Sequence, residues 1–444
     1  MEKIFRFIEK LIPETLYKKA QPAYHFLMAF FSAFFYDFPS QKMIVIGVTG
    51  TKGKTTTCDL IYQILNFSGY KTGLATTADF AIGDLKWQNK NKQTMLGRFE
   101  LQKLLARMAK ENCVYAVIET SSEGILQYRH RFIDYNIAVF TNLSPEHIER
   151  HGNFENYRNA KIKLFEKTAK GKNNIGIYNL DDENAKYFLK PKIKNRYFYT
   201  LNPENNRINV QNLNIISNIK STINGSKFSF NEGSASWRIE MPLIGEFNIY
   251  NAAAAICVAL SQNIPINKIK ETLAIAKPPT GRMEIIDKGQ NFIVIVDYAH
   301  EPASLEAVYK TIKKSIVKSP KSKVICLLGA QGGGRDKWKR PEMGKIAGQY
   351  CDKIILTNED PYEENPNQIL SEIKNGIKNY KFEIIKIIDR QKAIKKALAS
   401  AKKGDVVILT GKGGESWMCI ENNQKIPWDE RKTVEELIDN NKAI

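Results

Sequence analysis

Residues 47–57 read Gly-Val-Thr-Gly-Thr-Lys-Gly-Lys-Thr-Thr-Thr, and few folds accommodate such a stretch in its setting. An apolar run, Met43-Ile44-Val45-Ile46, precedes it, and Leu60, Ile61, Ile64 and Leu65 follow at helical spacing. Strand, glycine turn and helix in that order form a phosphate cradle, because the turn aims backbone N–H groups at an anion. Lys54 can reach the terminal phosphates, and the Thr55 hydroxyl suits Mg²⁺. The common form of this loop wants glycine at the position of Val48; here the spacing is G-x-x-G-x-x-G-K-T, through Gly47, Gly50 and Gly53. That variant points to a particular kind of ATP enzyme.

Around the loop, from 43 to about 180, apolar runs such as 115–118 and 137–140 alternate with helical stretches, which predicts a parallel sheet covered on both faces. Residues 190–243 carry short alternating runs with Asn and Gly turns and predict a small antiparallel β section. Pro278, Pro279 and Gly281 mark a linker. Apolar runs at 291–296, 323–328, 353–357, 383–388 and 405–410 then recur between helical patterns. The expected fold is α/β. Residues 41–277 form a P-loop central domain with a mostly parallel sheet and the small β section, and 278–444 form a C-terminal Rossmann-like domain.

Residues 1–40 are a separate helical segment. Ile4, Phe5, Ile8, Leu11 and Ile12 fall at helical spacing, and 23–38 are dense in aromatics but shorter than the roughly 20 residues a spanning helix needs. Two readings stay open, a helical hairpin packed on the ATP domain and an interfacial membrane contact through 1–38. The net charge of +19 comes from lysines spread over every segment, without an arginine-rich block, so no nucleic-acid partner is expected. The 6 cysteines are scattered without a C-x-x-C pair, which argues against a zinc site and for a reducing compartment.

Chemistry-bearing residues cluster at predicted strand ends. Glu119 closes the run 115–118 and stands where a Mg²⁺ carboxylate belongs beside a P-loop. His147 and His151, two of 5 histidines, lie four apart within 141–166 and read either as a metal face or as a structural pair. Asp297 and His300 follow the run 291–296. The stretch 329–344 holds glycines with Arg335, Lys337, Lys339 and Arg340 and reads as a second anion-binding loop.

Taken together these residues resemble the Mur ligases, ATP-dependent amide-bond enzymes of peptidoglycan precursor synthesis, and within them the tripeptide-synthetase branch. The resemblance runs from about 43 to 437 through ordered motifs: GVTGTKGKTTT, ETSSEG, TNLSPEHIERHG, NLDDE, GEFNIYN, GRME, DYAH, EDP, GKGGE and IPWDER. It implies that Gly50, Thr51, Lys52, Gly53, Lys54, Thr55 and Thr56 bind ATP, and that Asn251, Arg282, Asp297 and His300 contact the nucleotide. It implies two Mg²⁺ ions, held by Thr55, Glu119, His147 and a carbamylated Lys161, with Lys54, Glu119, His147 and Lys161 catalytic. The expected partners are a UDP-MurNAc-peptide-type precursor and an amino acid, met by Thr94, Ser121, Arg335, Asp360, Tyr362 and Glu415. A cytoplasmic monomer, with membrane association at the inner face left open, completes the expectation.

The chain departs from the family pattern at four places. About forty residues precede the first strand, where the family carries a domain that holds the UDP end. Enzymes selecting meso-diaminopimelate read D-N-P-R, whose arginine grips the distal carboxylate; this chain reads Glu359-Asp360-Pro361-Tyr362. Tyr362 disfavours diaminopimelate, and Glu359 and Asp360 can attract a cationic side chain instead. GKGHE has become 411–415 with Glu415 retained, and Thr94 and Ser121 stand in altered loops. Two alternatives are a folylpolyglutamate-synthetase-like ligase and a membrane-attached ATP-binding scaffold without catalysis.

Overall fold

The computed structural model describes residues 14–91, 93–146, 148–202, 204, 210–315, 322–334, 336–378, 383–422 and 424–442, with backbone alone for 14–20 and 441–442. His147 and Arg335 lie outside the described residues. The chain forms two compact units: Met1–Ser217 with Phe230–Trp237 and Tyr250–Thr272, and Asn218–Ser229 with Arg238–Ile249 and Leu273–Ile444.

The first sheet contains β1 (Ile44–Thr49), β2 (Thr72–Ala75), β3 (Asp79–Ile82), β4 (Leu85–Gln88), β5 (Tyr115–Glu119), β6 (Tyr135–Phe140), β7 (Ile175–Asn179), β8 (Asn195–Thr200), β9 (Leu213–Thr222), β10 (Gly225–Glu232) and β11 (Ala235–Met241). Its order is β11-β10-β9-β8-β7-β6-β1-β5-β2-β3-β4. From β2 across to β9 the strands run parallel, and β3 and β4 add an antiparallel edge. The central strands β1 and β5 are buried on both faces from Val45 and Tyr115 onward, as continuous rather than alternating apolar runs require. Leu164 and Phe165, from the helix Phe154–Thr168, pack in one core cluster with Val45, Ala116 and Phe140.

The small β section expected at 190–243 is joined to the main sheet. β8 pairs parallel with β7, and β9 pairs parallel with β8. β9, β10 and β11 are then neighbours linked by two-residue turns, the connection of antiparallel strands.

The second sheet has order β12-β13-β17-β14-β15-β16, built from β12 (Glu284–Ile286), β13 (Ile293–Val296), β14 (Val324–Leu328), β15 (Lys353–Leu356), β16 (Ile384–Lys386) and β17 (Val406–Leu409). All neighbours are parallel except β12 and β13. A short hairpin of β18 (Trp417–Cys419) and β19 (Lys425–Pro427) follows.

The described N-terminal segment is one helix, Glu14–Phe35, that runs through Pro22. The first arm of the expected hairpin, with Ile4, Phe5, Ile8, Leu11 and Ile12, lies outside the described residues. Ala29, Ser32 and Ala33 are buried, and Phe26 and Phe30 meet the edge of the Phe132 ring at 5.3 and 5.4 Å. Leu27, Phe31, Phe34 and Phe35 stay exposed, Phe35 at 72%. No described helix is long and apolar enough to cross a membrane.

Candidate active site

β1 lies between β5 and β6, so its C-terminal end is flanked by theirs: Val48 pairs with Glu119 and Thr49 with Phe140. The chain leaves β1 through Gly50 (φ +152°), where a Cβ would fall 2.0 Å from Thr141 Oγ1. It enters the helix Lys54–Phe67 through Gly53 (φ +79°), where a Cβ would fall 2.2 Å from Asn251 Oδ1. Only glycine fits either place. Val48 is a fully buried strand residue, so the glycine missing at 48 is no defect: the turn starts two residues later.

Asn142 shapes the loop. Its Oδ1 accepts the Lys52 N–H at 2.9 Å, its Nδ2 donates to Lys52 O at 3.0 Å, and its own carbonyl accepts the Thr51 N–H at 2.8 Å. Thr51 Oγ1 is held by the Ser144 N–H at 3.0 Å and lies 3.1 Å from the Tyr157 hydroxyl. The amides of Thr51 and Lys52 are therefore engaged inside the fold. The N–H groups of Lys54, Thr55 and Thr56 open the helix and have no acceptor within it, the arrangement that suits an anion. Lys54 Nζ donates to Thr51 O at 2.8 Å.

Thr55 Oγ1 donates to Glu119 Oε2 at 3.0 Å. Asn153 caps the helix Phe154–Thr168, which buries Lys161 to 1% exposure. Lys161 Nζ donates to Gly50 O at 2.7 Å and stands 4.6 Å over the Tyr157 ring. Burial, reinforced by the charge of Lys54, pushes its basicity well below that of an ordinary lysine. Asn251 Oδ1 accepts from Thr57 Oγ1 at 3.3 Å, which ties it to the helix Lys54–Phe67. Ser121 caps the short helix Ser122–Leu126 by accepting the Gly124 N–H at 3.1 Å. His151 Nε2 lies 3.1 Å from Ser122 Oγ. Thr94 Oγ1 lies 3.1 Å from Thr77 Oγ1, and Thr77, which no motif marks, also bonds Glu119.

Among the described residues no group of three or more His, Cys, Asp or Glu side chains could hold a metal. The oxygens at hand are the Thr55 hydroxyl and the Glu119 carboxylate, hard donors that fit Mg²⁺. That ion is commonly held by one or two carboxylates together with substrate phosphates.

The second unit gathers its own cluster. Asp297 follows β13, and both its oxygens accept backbone N–H groups, from Met283 at 2.7 Å and Ala299 at 2.8 Å. Burial raises its pKa against the opposing charge of Arg282. Arg282 stacks 4.2 Å over the Tyr298 ring, and the Tyr298 hydroxyl donates to Glu415 Oε1 at 3.2 Å. His300 Nδ1 lies 2.8 Å from Tyr298 O. Lys412 is fully buried and donates to Asp360 Oδ1 (2.9 Å), Glu415 Oε2 (2.7 Å) and Trp417 O (2.6 Å). Asp360 also accepts the Cys419 N–H at 2.7 Å.

Glu359 differs from these acids. It is fully buried, and neither carboxylate oxygen has a hydrogen-bond partner among the described residues. Burial raises its pKa, while the charge of His300 works the other way. A Cβ on Gly411 would come 2.5 Å from Glu359 Oε2. Tyr362 holds a left-handed backbone (φ +50°), and a Cβ on Gly333 would come 2.8 Å from its ring.

Two cations expected in an anion-binding loop are engaged internally. Lys339 pairs with Glu301 at 2.8 Å. Buried Arg340 bonds Glu364 at 2.9 Å, Glu372 at 2.6 Å and Gln331 O at 3.0 Å.

A glycine turn ending a central parallel strand, a Thr–Glu pair beside it and a buried lysine of low basicity define a P-loop enzyme of the α/β class. The family follows from comparison with known proteins. Residues 48–259 match the model of the Mur ligase middle domain, and 281–413 that of the Mur ligase glutamate ligase domain. A UDP-N-acetylmuramoyl-L-alanyl-D-glutamate–2,6-diaminopimelate ligase of Syntrophomonas wolfei is 37% identical over 93% of this chain and 81% of its own length. A UDP-N-acetylmuramyl-tripeptide synthetase of Treponema denticola is 39% identical over 92% of this chain and 78% of its own. A solved diaminopimelate ligase structure superposes with a TM-score of 0.63 at 31% identity, covering 90% of this chain and 79% of that one. The chain belongs to the Mur ligase family and is an ATP-dependent amide ligase. A Mycobacterium tuberculosis folylpolyglutamate synthase shares the fold, with a TM-score of 0.67 at 14% identity.

Proposed function

We propose that this ligase adds an amino acid to a UDP-MurNAc-dipeptide-type precursor in the cytoplasm. The observation that carries the reading is Lys161: buried, weakly basic, and hydrogen-bonded to the loop that would hold the nucleotide. A neutral buried amine is the form that combines with CO₂ to give a carbamate, a carboxylate on a long arm. Thr55, Glu119, His147 and the carbamate of Lys161 are the proposed holders of two Mg²⁺ ions, which supply charge neutralisation at the phosphates. Lys54 and the N–H groups of 54–56 bind the γ-phosphate. A carboxylate oxygen of the precursor attacks the γ-phosphorus, and the bond to ADP breaks. The amine nitrogen then attacks the acyl carbon, loses a proton, and phosphate leaves. The side chains orient the reactants and offset charge, and none becomes covalently bonded.

For the amino acid, Asp360 and Glu415 share the ammonium of Lys412, whereas Glu359 is buried without a bonded partner. This favours Glu359 as the contact for a cationic side chain such as that of lysine or ornithine, and Tyr362 in place of arginine disfavours diaminopimelate. The test is direct. The protein is incubated with ATP, Mg²⁺, UDP-MurNAc-dipeptide and an amino-acid mixture, and the product mass is read. Absence of any adduct overturns the precursor assignment.

The exposed aromatic face of Glu14–Phe35 supports a second, additional reading, peripheral contact with an anionic membrane. The chain's net charge of +19 favours such a surface.

A further inference from the structure

We propose that Thr77 is a positioning residue that aims Glu119 at its cation and couples it to the loop carrying Thr94. The proposal rests on Glu119 being the carboxylate of the divalent-cation site.

Three donors converge on one oxygen of Glu119. Oε2 accepts from Thr55 Oγ1 at 3.0 Å, from the Thr77 backbone N–H at 2.8 Å and from Thr77 Oγ1 at 2.9 Å. No described residue donates to Oε1. A glutamate carboxylate otherwise turns freely about its last torsion, whose energy profile is broad. Thr77 holds the same oxygen through main chain and side chain, so the plane is set and Oε1 is the oxygen left for a cation. The fold puts Thr77 there because β2 runs parallel to β5 with Ala75 opposite Ile118. The next residues of each strand then meet at the sheet's end.

The second link is to Thr94. The two hydroxyl oxygens are 3.1 Å apart. Thr77 Oγ1 is the donor in both contacts, so its one hydrogen is shared between Glu119 and Thr94. The two segments are stapled beside each other by Asn89, whose Nδ2 donates to Thr76 O at 2.7 Å and Gln93 O at 3.0 Å. The Arg129 guanidinium further holds Met95 O. Displacing Thr94 thus changes the bonding of Thr77 and, through it, the orientation of Glu119.

The test measures Mn²⁺ binding to the full chain with a non-hydrolysable ATP analogue, by electron paramagnetic resonance, next to kcat and KM for Mg²⁺. Thr77→Val keeps the shape and the backbone N–H but loses the hydroxyl. It should weaken Mn²⁺ binding about five- to tenfold and raise KM for Mg²⁺ with a smaller change in kcat. Thr77→Ser should restore most of the affinity. Thr94→Val should change binding less than Thr77→Val does, and its effect should vanish in the Thr77→Val background, the sign of a shared path. If the valine variant does not fold, Thr77→Ala serves in its place. Wild-type Mn²⁺ affinity in Thr77→Val, with weakened affinity in Glu119→Gln, overturns the role of Thr77 alone. Wild-type affinity in Glu119→Gln overturns the cation reading and this proposal with it.

Discussion

Lys161 Nζ and the carbonyl oxygen of Gly50 lie 2.7 Å apart, which fastens a buried amine to the glycine turn after β1. Lys161→Ala should lower kcat by roughly a hundredfold or more, the usual scale for losing one fixed electrostatic group. Short carboxylic acids should restore part of the rate by standing in for the carbamate. The amine's lowered pKa fixes the pH trend: the neutral form grows as pH rises through that value, so bicarbonate should stimulate the wild type more on the alkaline side. Phosphate release with and without acetate or bicarbonate measures this, and full activity in Lys161→Ala would remove Lys161 from the site.

Asn142 does for the loop what no glycine can, since its side chain satisfies both the N–H and the C=O of Lys52. Asn142→Ala removes both bonds, leaving Lys52 O to Thr141 Oγ1 at 2.8 Å, and lets the turn relax. ATP-analogue binding should weaken by roughly tenfold, with a smaller loss in unfolding free energy. Calorimetric titration of the analogue checks it, and unchanged affinity would mean that the glycines alone shape the turn.

The parts of this site legible in the sequence sit where an apolar run ends. Lys54, Glu119 and Asp297 follow continuous apolar segments, and a strand's end can be read locally. Asn142 and Thr77 owe their roles to neighbours set by strand pairing, β1 beside β6 and β5 beside β2. That pairing is non-local and leaves no mark on spacing. The same holds for Arg340, whose partners Glu364 and Glu372 lie far along the chain. A basic, glycine-rich stretch looks like an anion loop until its carboxylates are found. The continuous helix through Pro22 was hidden for another reason: proline costs about 3 kcal/mol in a helix interior, and tertiary packing can outweigh that.

The exposed face of Glu14–Phe35 makes its own prediction. The full chain should sediment with vesicles containing anionic lipid and less with neutral ones. Replacing Phe31, Phe34 and Phe35 by Ser should abolish most of that binding, because each aromatic ring contributes on the order of 1.5–3 kcal/mol when buried. Secondary structure should not change, since all three side chains are exposed. Equal sedimentation of the triple variant would assign this face to another contact.

Glu359 and Asp360 are adjacent acids with opposite consequences. Asp360 is bound by Lys412 and by the Cys419 N–H, so Asp360→Asn weakens a buried pair and should destabilise the fold by about 2–4 kcal/mol. Glu359 has no bonded partner, and burial raises its carboxyl pKa above the usual 4.5. The folded protein then binds that proton more tightly than the unfolded chain, so stability falls as pH rises from 4.5 through the raised value. Glu359→Gln removes the buried charge. Its Tm should match the wild type near pH 4 and exceed it near pH 8, by roughly a few degrees. If Glu359 contacts a cationic amino acid, saturating lysine should raise the wild-type Tm near pH 8 and leave that of Glu359→Gln unchanged, by the mass action of a ligand that binds only the folded state. A Tm gain independent of pH would show that the glutamine packs better rather than that a charge was relieved. An equal lysine-induced shift in both proteins would move amino-acid recognition away from Glu359.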